Sequence, residues 1–319
     1  MSGTQQSTPG GTQHSSSPLA PELTWHAGAL ALDHPRVMGI VNVTPDSFSD
    51  GGRFLDPAAA VDHAHRLVAE GAAIVDIGGE STRPGADEIP AQEELRRVIP
   101  VVERLVAELD VPVSVDTSKP EMIAAATAAG AAMVNDVRAL RTPGALEAAA
   151  AADCAVCLMH MQGTPATMQK NPHYDNVVEE VCAFLETRAD ACVDAGIPPD
   201  HILIDPGFGF GKTRAHNLLL LRHLGELLDL GYPVLVGLSR KSLIGTLTGA
   251  DSGERLAGSL AAATLAAWFG AVVIRAHDVR ATIEALAVLD AVLANPNASN
   301  TALSGSEPGR MQGAGAPEG

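Results

Sequence analysis

Charged and polar residues stand at the ends of several short apolar runs in this sequence. Asp76, Asp116 and Asp205 each close such a run, as do Asn42 and Asn135. A carboxylate within an apolar segment is costly unless it is paired. One such carboxylate is easily a structural ion pair, but three that converge on one rim predict a ligand site. We expect Asp116 and Asp205 to contact the ligand, whereas Asp76 is better explained as a residue that orients a neighbour.

One set of these residues offers hydrogen-bond acceptors beside donors; it comprises Asp116, Asn135, Asp205 and Lys241. This combination suits a flat heterocycle whose edge carries amino and ring N–H groups next to a carbonyl. Two aromatic residues, Phe208 and Phe210, follow Asp205 closely. We expect their rings to wall a slot for that heterocycle, and packing beneath their own loop is the competing interpretation.

A second set of residues suits an anion. Arg275 and His277 are two positions apart at a strand end, so their side chains share a face. Together with Thr82 and Arg83 they predict a pocket for a phosphate-type group, to which arginine makes a forked contact. For His277 alone, a satisfied histidine at a strand end explains the sequence equally well. A heterocycle that carries a phosphoryl leaving group would connect the two sets.

The elements that position these residues alternate along the chain. Apolar segments predict eight strands, at 37–42, 73–78, 111–116, 132–136, 154–159, 201–205, 233–238 and 271–275. Helical patterns follow them at 57–71, 90–109, 120–130, 143–152, 176–196, 215–231, 253–270 and 279–294. Continuous apolar strands that alternate with helices indicate a parallel sheet covered on both faces.

Eight such units predict an α/β fold of the closed (β/α)8 TIM-barrel type. The alternative is an open doubly wound sheet, which would be expected to carry a G-x-G-x-x-G turn after its first strand. The residues at that position, 42–45, read NVTP and do not match. Enzymes with a (β/α)8 barrel carry their sites at the C-terminal ends of the strands, where the polar residues described above lie.

The composition predicts one globular domain at residues 22–294, between disordered tails at 1–21 and 295–319 that are rich in small and polar residues. The N-terminal tail has no apolar core of a signal peptide, so we expect a cytoplasmic protein. No apolar run approaches the ~20 residues of a membrane span. The net charge of −17 argues against binding to nucleic acids or anionic membranes, because both need a positive protein face.

Two other motifs carry no function in our interpretation. Cys154 and Cys157 form a C-x-x-C within an apolar strand, where residues three apart point to opposite faces, so we interpret them as buried hydrophobic residues and not as a metal or redox pair. The segment 206–213, PGFGFGKT, is similar to a phosphate-binding P-loop, but Pro206 occupies the position of the first glycine. We therefore expect no nucleotide site there.

Eight motifs, in order, resemble those of the dihydropteroate synthases, a family of barrel enzymes in folate synthesis: MGIVNVTPDSFSDGG, IVDIGGESTRPGA, SVDTSKPE, VNDV, LMHM, IDPGFGFGK, VGLSRKS and RAHDV. The resemblance covers about residues 37–279. It implies a transferase that joins 6-hydroxymethyl-7,8-dihydropterin diphosphate to 4-aminobenzoate, with Mg²⁺, and releases diphosphate and 7,8-dihydropteroate.

The resemblance also implies roles for individual residues. The pterin would be held by the heterocycle set, Asp116, Asn135, Asp205 and Lys241. The diphosphate would contact Thr82, Arg275 and His277, with Arg83 close by, and Asn42 would bind Mg²⁺. Phe48, Pro84 and Ser239 would line the 4-aminobenzoate pocket, where sulfonamides compete. We expect catalysis to depend on Arg275, His277, Lys241 and Asp116. One departure is Arg138-Ala139-Leu140, where many members have a glycine-rich turn.

Two alternative functions and one assembly question remain at this stage. A methyl-transferring pterin barrel would share the pterin pocket but would not need both Thr82-Arg83 and the Arg275/His277 pair. A non-catalytic pterin-binding paralogue is the other alternative. We expect a homodimer: the Ala-rich segment 260–267 suits close packing on a second subunit, although packing within the barrel explains it equally well.

Overall fold

The computed structural model describes residues 22–43, 57–83, 85–86 and 88–294 of the 319-residue chain. Two short strands come first, β1 (Glu22–Trp25) and β2 (Gly28–Ala31). Eight further strands form one parallel sheet: β3 (Arg36–Asn42), β4 (Ile74–Gly78), β5 (Val113–Asp116), β6 (Met133–Asp136), β7 (Ala155–Met159), β8 (Ile202–Asp205), β9 (Leu235–Val236) and β10 (Val273–Ala276). The eight predicted strands are therefore confirmed, although β9 is shorter than expected.

The sheet curls on itself into a barrel. Hydrogen-bonded neighbours follow the order β8-β7-β6-β5-β4-β3-β10-β9, so the first and last barrel strands, β3 and β10, lie side by side. The remaining gap, between β8 and β9, is bridged by a parallel pairing of Ile204 with Val234. The Ile204 amide also donates a 3.0 Å hydrogen bond to the Pro233 carbonyl. This arrangement confirms the predicted (β/α)8 barrel.

Ten α-helices are seen in the described part of the chain: α1 (Pro57–Ala69), α2 (Ala91–Glu108), α3 (Pro120–Ala128), α4 (Ala145–Ala152), α5 (Val177–Asp194), α6 (Arg214–Arg222), α7 (Gly225–Leu228), α8 (Ser242–Thr248), α9 (Leu256–Trp268) and α10 (Val279–Leu293). The predicted single helix 215–231 is thus wrong. It breaks at His223, which leaves the helical region of backbone space just before Gly225, a poor helix former. None of these helices is long and apolar enough to cross a membrane.

A β-hairpin that the sequence did not predict covers the N-terminal end of the barrel. Strands β1 and β2 pair antiparallel, with Leu23 opposite Leu30. The side chain of Leu23 is buried in a cluster with inward-facing barrel residues, which are Met38, Ile74, Met133, Ala155, Cys157, Leu203, Leu235 and Val273. The hairpin therefore closes that end of the barrel with apolar contacts.

The main hydrophobic core lies between the outer face of the barrel and the helices. Residues along each strand alternate between this outer core and the barrel interior. The two cysteines of the C-x-x-C show this separation, because Cys154 belongs to the outer core and Cys157 to the interior cluster. Both thiols are free and buried, as expected for residues that serve as small hydrophobic side chains.

Candidate active site

The side chains that face the barrel interior change from apolar to polar towards the C-terminal ends of the strands. Each step of two residues leads from an apolar side chain in the lower layer to a polar one nearer the C-terminal end: Ile74 to Asp76, Met133 to Asn135, Leu203 to Asp205, and Val273 to Arg275. Asp116, at the end of β5, pairs in register with Gly78 and Asn135 on its two neighbours. The barrel fold thus brings the predicted polar strand ends to one mouth.

Arg275 and two carboxylates form the centre of this polar layer. Its Nε donates a 2.6 Å hydrogen bond to Asp76 Oδ2, and a terminal guanidinium nitrogen donates a 3.0 Å bond to Asp116 Oδ2. The fully buried Asp76 also accepts hydrogen bonds from Ser114 Oγ at 2.7 Å and from Asn135 Nδ2 at 3.1 Å. Asp76 is therefore occupied by protein donors and orients Arg275 and Asn135, in line with the interpretation preferred from sequence.

The charges of this network keep Arg275 protonated and bring the pKa of Asp116 close to neutral pH. Burial disfavours the charge of Arg275, but the nearby Asp76 and Asp116 more than offset it, so the pKa of Arg275 lies above its usual value. Burial raises the pKa of Asp116 to about 7, against the lowering effect of Arg275 and with a further increase from Asp76. Arg275 is therefore charged at neutral pH, whereas Asp116 can exchange a proton near pH 7.

Asp205 and Lys241 lie close enough at the mouth for the charge of each to shift the pKa of the other. Burial lowers the pKa of Lys241 to about 8, and the charge of Asp205 counteracts this effect. Burial raises the pKa of Asp205, whose Oδ1 accepts a 2.7 Å hydrogen bond from the Gly207 amide. The Lys241 ammonium donates to the Phe208 carbonyl and lies 4.7 Å from the centre of the Phe210 ring. Donor, acceptor and ring thus occupy one wall.

The two phenylalanines of this loop have different environments. Phe208 is completely buried in the main core, so the packing interpretation holds for it. Phe210 is only partly buried and packs against Val137 and three methionines at the top of the barrel, Met159, Met161 and Met168. Its ring lies beneath the Lys241 ammonium, so Phe210 is the one of the pair that borders the mouth.

His277 lies beside Ser239 on the neighbouring strand end. Its Nδ1 is 3.1 Å from Ser239 Oγ, and its backbone amide donates to the same oxygen at 3.2 Å. Burial lowers the pKa of His277 to about 4, and the charges of Arg275, Arg240 and Arg83 contribute to this lowering. His277 is therefore neutral at pH 7 and lies near three arginines, of which Arg240 is paired with Asp278 and Arg275 with Asp76 and Asp116.

The loop after β4 carries the other predicted anion contacts. Thr82 is half-buried and Arg83 is exposed. Neither side chain is hydrogen-bonded to Arg275 or His277 in the part of the chain that the structure describes. The charge of Arg83 nevertheless reaches His277, because it lowers the pKa of that histidine. The structure thus brings Arg83 near His277 without a direct hydrogen bond between them.

Asn42 ends β3 at the same mouth. A Cβ added to Gly78 would lie 3.7 Å from Asn42 Oδ1 and 3.9 Å from Asp116 Oδ2, so these two oxygens flank the glycine. Mg²⁺ prefers oxygen ligands and commonly takes few from protein, with water and substrate phosphates completing its shell. No group of three or more histidine, cysteine, aspartate or glutamate side chains among the described residues could hold a metal. Asn42 Oδ1 is thus one oxygen at the mouth of the kind that Mg²⁺ prefers.

Two predicted site residues, Phe48 and Pro84, lie outside the described residues. Another polar residue at a strand end, Asp136, turns out to have structural contacts. Asp136 accepts hydrogen bonds from the Ser118 hydroxyl and from the amides of Arg138 and Leu140. It thereby stabilises the unusual turn noted in the sequence, where Ala139 and Leu140 both adopt positive φ, 53° and 54°.

The P-loop-like segment is also structural. Lys212 is buried, and its ammonium donates to the carbonyls of His160, Gly207 and Phe210 at 3.0–3.3 Å. His160 Nδ1 lies 2.8 Å from the same ammonium. This lysine therefore joins the end of β7 to the loop that carries Phe210, and its donors are not directed at a phosphate.

Sequence reasoning missed the partners that hold these residues in place. Ser114 faces the interior because it lies two residues before Asp116, and this spacing was the only signal for its bond to Asp76. Lys119 binds Glu80 at 2.5 Å and Glu94 at 2.6 Å, and neither pair follows from a local pattern. The ion pairs of Lys119 with Glu80 and Glu94 were therefore not predicted.

Comparisons with known proteins agree with this geometry. Residues 38–277 match a family described as "Pterin binding enzyme". Dihydropteroate synthase of Escherichia coli K12 is 54% identical over 265 residues, which are 83% of this chain and 94% of that protein.

Two solved structures of the Xanthomonas albilineans dihydropteroate synthase are similar to this fold. One contains 4-aminobenzoic acid and has a TM-score of 0.82 at 58% identity, covering 86% of this chain and 99% of the other. The second contains 7,8-dihydropteroate and has a TM-score of 0.77 at 53% identity, covering 87% of this chain and 100% of the other. Family match, identity and fold coincide over the region that forms the barrel mouth, and the chain belongs to the pterin-binding enzymes, in the dihydropteroate synthase family.

Proposed function

We propose that this chain joins 6-hydroxymethyl-7,8-dihydropterin diphosphate to 4-aminobenzoate and releases 7,8-dihydropteroate and diphosphate. The observation that carries the proposal is the network in which Arg275 links Asp76 to Asp116, in the layer that also holds Asp205 and Lys241. A single mouth thus offers acceptors and a donor for a ring beside a cation for its leaving group. Fold and family agree with this reaction.

The pterin ring occupies the side of the mouth with mixed donors and acceptors. Asp116 and Asp205 accept hydrogen bonds from the amino and ring N–H groups, and Asn135, held by Asp76, provides a further polar contact. The Lys241 ammonium, which donates a hydrogen bond to the Phe208 carbonyl in the free protein, donates to the ring carbonyl when the pterin binds. These contacts hold the ring while the bond between its methylene carbon and the diphosphate oxygen breaks.

The diphosphate departs with the bonding electron pair towards the cationic side of the mouth. Arg275 supplies charge and donors there, and neutral His277 donates a hydrogen bond, with Thr82 and Arg83 at the loop above. Such groups stabilise the charge that develops on the leaving oxygen. When bound at Asn42, Mg²⁺ supplies additional neutralisation of the diphosphate.

The amine of 4-aminobenzoate then forms the new C–N bond. Its nitrogen lone pair attacks the ring-stabilised methylene cation, and the nitrogen loses one proton afterwards, so no strong base is needed. We assign Ser239, Phe48 and Pro84 to the 4-aminobenzoate pocket, with Phe210 at its border. We expect the loops at 44–52, outside the described residues, and 79–87, described except for Pro84 and Asp87, to exclude water during this step.

Diphosphate release is the measurement that tests the reaction. Purified protein is supplied with Mg²⁺ and the dihydropterin diphosphate, and diphosphate is followed by a coupled assay before and after addition of 4-aminobenzoate. We expect release to depend on 4-aminobenzoate and dihydropteroate to form in equal amount. Tight pterin binding without either product would instead identify a non-catalytic pterin-binding protein.

We further propose a cytoplasmic homodimer. Six large apolar side chains are exposed on the neighbouring helices α9 and α10, namely Leu256, Leu265, Trp268, Val288, Val292 and Leu293. An exposed apolar surface of this kind is typical of a subunit interface. All four cysteines are free thiols, which suits a reducing compartment. Light scattering of the wild type against Trp268→Glu tests the dimer, and an unchanged mass for the variant would contradict this interface.

A further inference from the structure

The loop between β4 and α2 is fastened by one side chain, Glu80. Its Oε1 accepts a 3.1 Å hydrogen bond from the Ile89 amide, nine residues further along, and its Oε2 accepts a 2.5 Å bond from the Lys119 ammonium. Thr82 and Arg83 lie between the two ends that Glu80 connects. The segment that carries two of the proposed diphosphate contacts is therefore fixed to the barrel through Lys119.

The start of the same loop is pressed against helix α2. A Cβ on Gly79 would come within 2.4 Å of Val98 Cγ2 and 3.0 Å of Glu94 Cγ, so no larger residue fits there without a shift. Arg97 also donates a 3.4 Å hydrogen bond to the Gly79 carbonyl. The loop thus leaves the barrel at a fixed point, and its further course depends on Glu80.

Lys119 has a second acidic partner, Glu94, which lies near the loop only at its start, beside Gly79. Its ammonium lies 2.6 Å from Glu94 Oε2, and the Glu94 side chain is completely buried. Glu94 Oε1 has no hydrogen-bond partner in the part of the chain that the structure describes. Burial lowers the pKa of Lys119, but hydrogen bonds with Glu80 and Glu94 outweigh this effect and raise it. One permanently charged ammonium therefore holds two carboxylates, one in the loop and one in the core.

The position of Lys119 connects this pair of contacts to the site. It lies three residues after Asp116, directly before helix α3, in the segment that links the strand end carrying Asp116 to that helix. The charge of Glu94 is among those that raise the pKa of Asp116. Lys119 thus connects the strand end that carries Asp116 with the loop that carries Thr82 and Arg83.

We propose that Lys119 is a positioning residue, which acts through Glu80 to hold the 80–89 loop, and with it Thr82 and Arg83, over the place where the diphosphate leaves. The inference rests on the proposed function, because it assumes a diphosphate-bearing pterin as the substrate. The competing explanation is purely structural: Lys119 would serve only to neutralise the buried Glu94.

Glu80→Ala and Glu94→Gln separate these explanations, because each removes one partner of Lys119. We expect Glu80→Ala to raise the Kd of the dihydropterin diphosphate about tenfold, the loss typical of a charge-assisted hydrogen bond that orders a loop. The Kd of the same pterin without its diphosphate should stay within about twofold. Glu94→Gln should shift the Tm but leave the ratio of the two Kd values as in the wild type. Equal weakening of both ligands by Glu80→Ala would overturn the inference.

Lys119→Met and the double variant Lys119→Met/Glu80→Ala complete a double-mutant cycle with Glu80→Ala and the wild type. If Lys119 acts through Glu80, the double variant loses no more discrimination between the two ligands than either single variant. Additive losses would show that the two residues act independently and would contradict the proposal. Glu80→Ala alone keeps the test valid if Lys119→Met does not fold.

Hydrogen exchange provides a measurement that does not depend on turnover. We expect Glu80→Ala to accelerate exchange of the amides at 81–89, and Glu94→Gln to leave that segment as in the wild type. Unchanged exchange in Glu80→Ala would mean that the ion pair does not hold the loop. If the wild-type protein forms no dihydropteroate, the proposed reaction fails, and the exchange data still decide whether Lys119 anchors the loop.

Discussion

The two ends of the barrel interior are built from the same strands and have opposite characters. At the N-terminal end, side chains such as Ile74 and Val273 pack with Leu23 of the hairpin. Two residues further along the same strands, Asp76 and Arg275 form a buried ion pair. A step of about 7 Å along a strand therefore separates a layer that holds the barrel together from one that can bind a ligand.

The apolar layer at the N-terminal end of the barrel interior (the lower layer) supports the polar layer at the C-terminal end (the upper layer). Buried charges are tolerated only when good geometry and extra hydrogen bonds offset their loss of hydration. Asp76 meets this condition with three donors, from Ser114, Asn135 and Arg275. An apolar layer beneath supports those donors, and we expect substitutions in that lower layer to change stability with little effect on ligand binding.

The largest effect is expected from Asp76→Ala, which removes the central acceptor of the upper layer. Arg275 and Asn135 would lose the partner that orients them, and breaking a buried ion pair typically costs about 3–5 kcal/mol. We expect kcat/KM to fall by at least about 100-fold, together with a lower Tm. Steady-state kinetics and calorimetry check both, and Ser114→Ala, which removes one donor only, is the milder control. Near-normal kcat/KM in Asp76→Ala would mean that the upper layer does not depend on this acceptor.

The matched substitution in the lower layer is Leu203→Ala, two residues before Asp205 on β8. It removes a buried side chain from the interior cluster, which typically lowers the free energy of unfolding by about 2–5 kcal/mol. We expect kcat and KM of the folded variant to stay within about twofold of wild type. Chemical denaturation and kinetics at low temperature measure the two quantities. A large change in KM would show that the layers are coupled, contrary to the comparison above.

A smaller effect is expected from pH, through two titrating residues of the upper layer, Asp116 and Lys241. Asp116 has a raised pKa of about 7, and its ionised form is the better acceptor for the ring N–H groups. Affinity for a pterin without diphosphate should therefore rise as pH increases through about 7, by up to tenfold per unit on the acidic side. The lowered pKa of Lys241, about 8, predicts a decline on the alkaline side. Calorimetry from acid to alkaline pH measures both limbs.

Asp116→Asn is the control for the acidic limb. The asparagine cannot ionise, so any remaining pH dependence there comes from the ligand or from other groups. An acidic limb that persists unchanged in Asp116→Asn would rule out Asp116 as its source.

The sequence predicted the barrel and its polar mouth because both depend on local patterns. Strand and helix periodicity identified the eight units, and residues such as Asp116 and Asp205 were recognisable because each ends an apolar run. The partners of these residues were not recognisable. Asp76 and Arg275 are 199 residues apart, and only closure of the barrel between β3 and β10 brings them together.

The remaining differences also concern long-range contacts. The hairpin was missed because Leu23 and Leu30 gain their burial only from the barrel end that they cover. Lys119 was missed because its two acidic partners come from another strand end and another helix. Local sequence thus reveals which side chains face the mouth, whereas the side chains that hold them require the assembled fold.

The smallest effect is expected at the turn that follows β6, next to the upper layer. Ala139 adopts a φ of 53°, a conformation that costs a residue with a side chain about 1–2 kcal/mol. Ala139→Gly relieves that cost but loses a buried methyl group worth about 0.8 kcal/mol. We therefore expect the free energy of unfolding to rise by about 0.5 kcal/mol, measured by chemical denaturation. Ala151→Gly, an exposed position in helix α4, is the control and should lower it by up to about 1 kcal/mol. A loss of stability in Ala139→Gly as large as in Ala151→Gly would show that the bonds from Asp136 have already removed the strain, and that the turn next to Asn135 is as relaxed as the layer below.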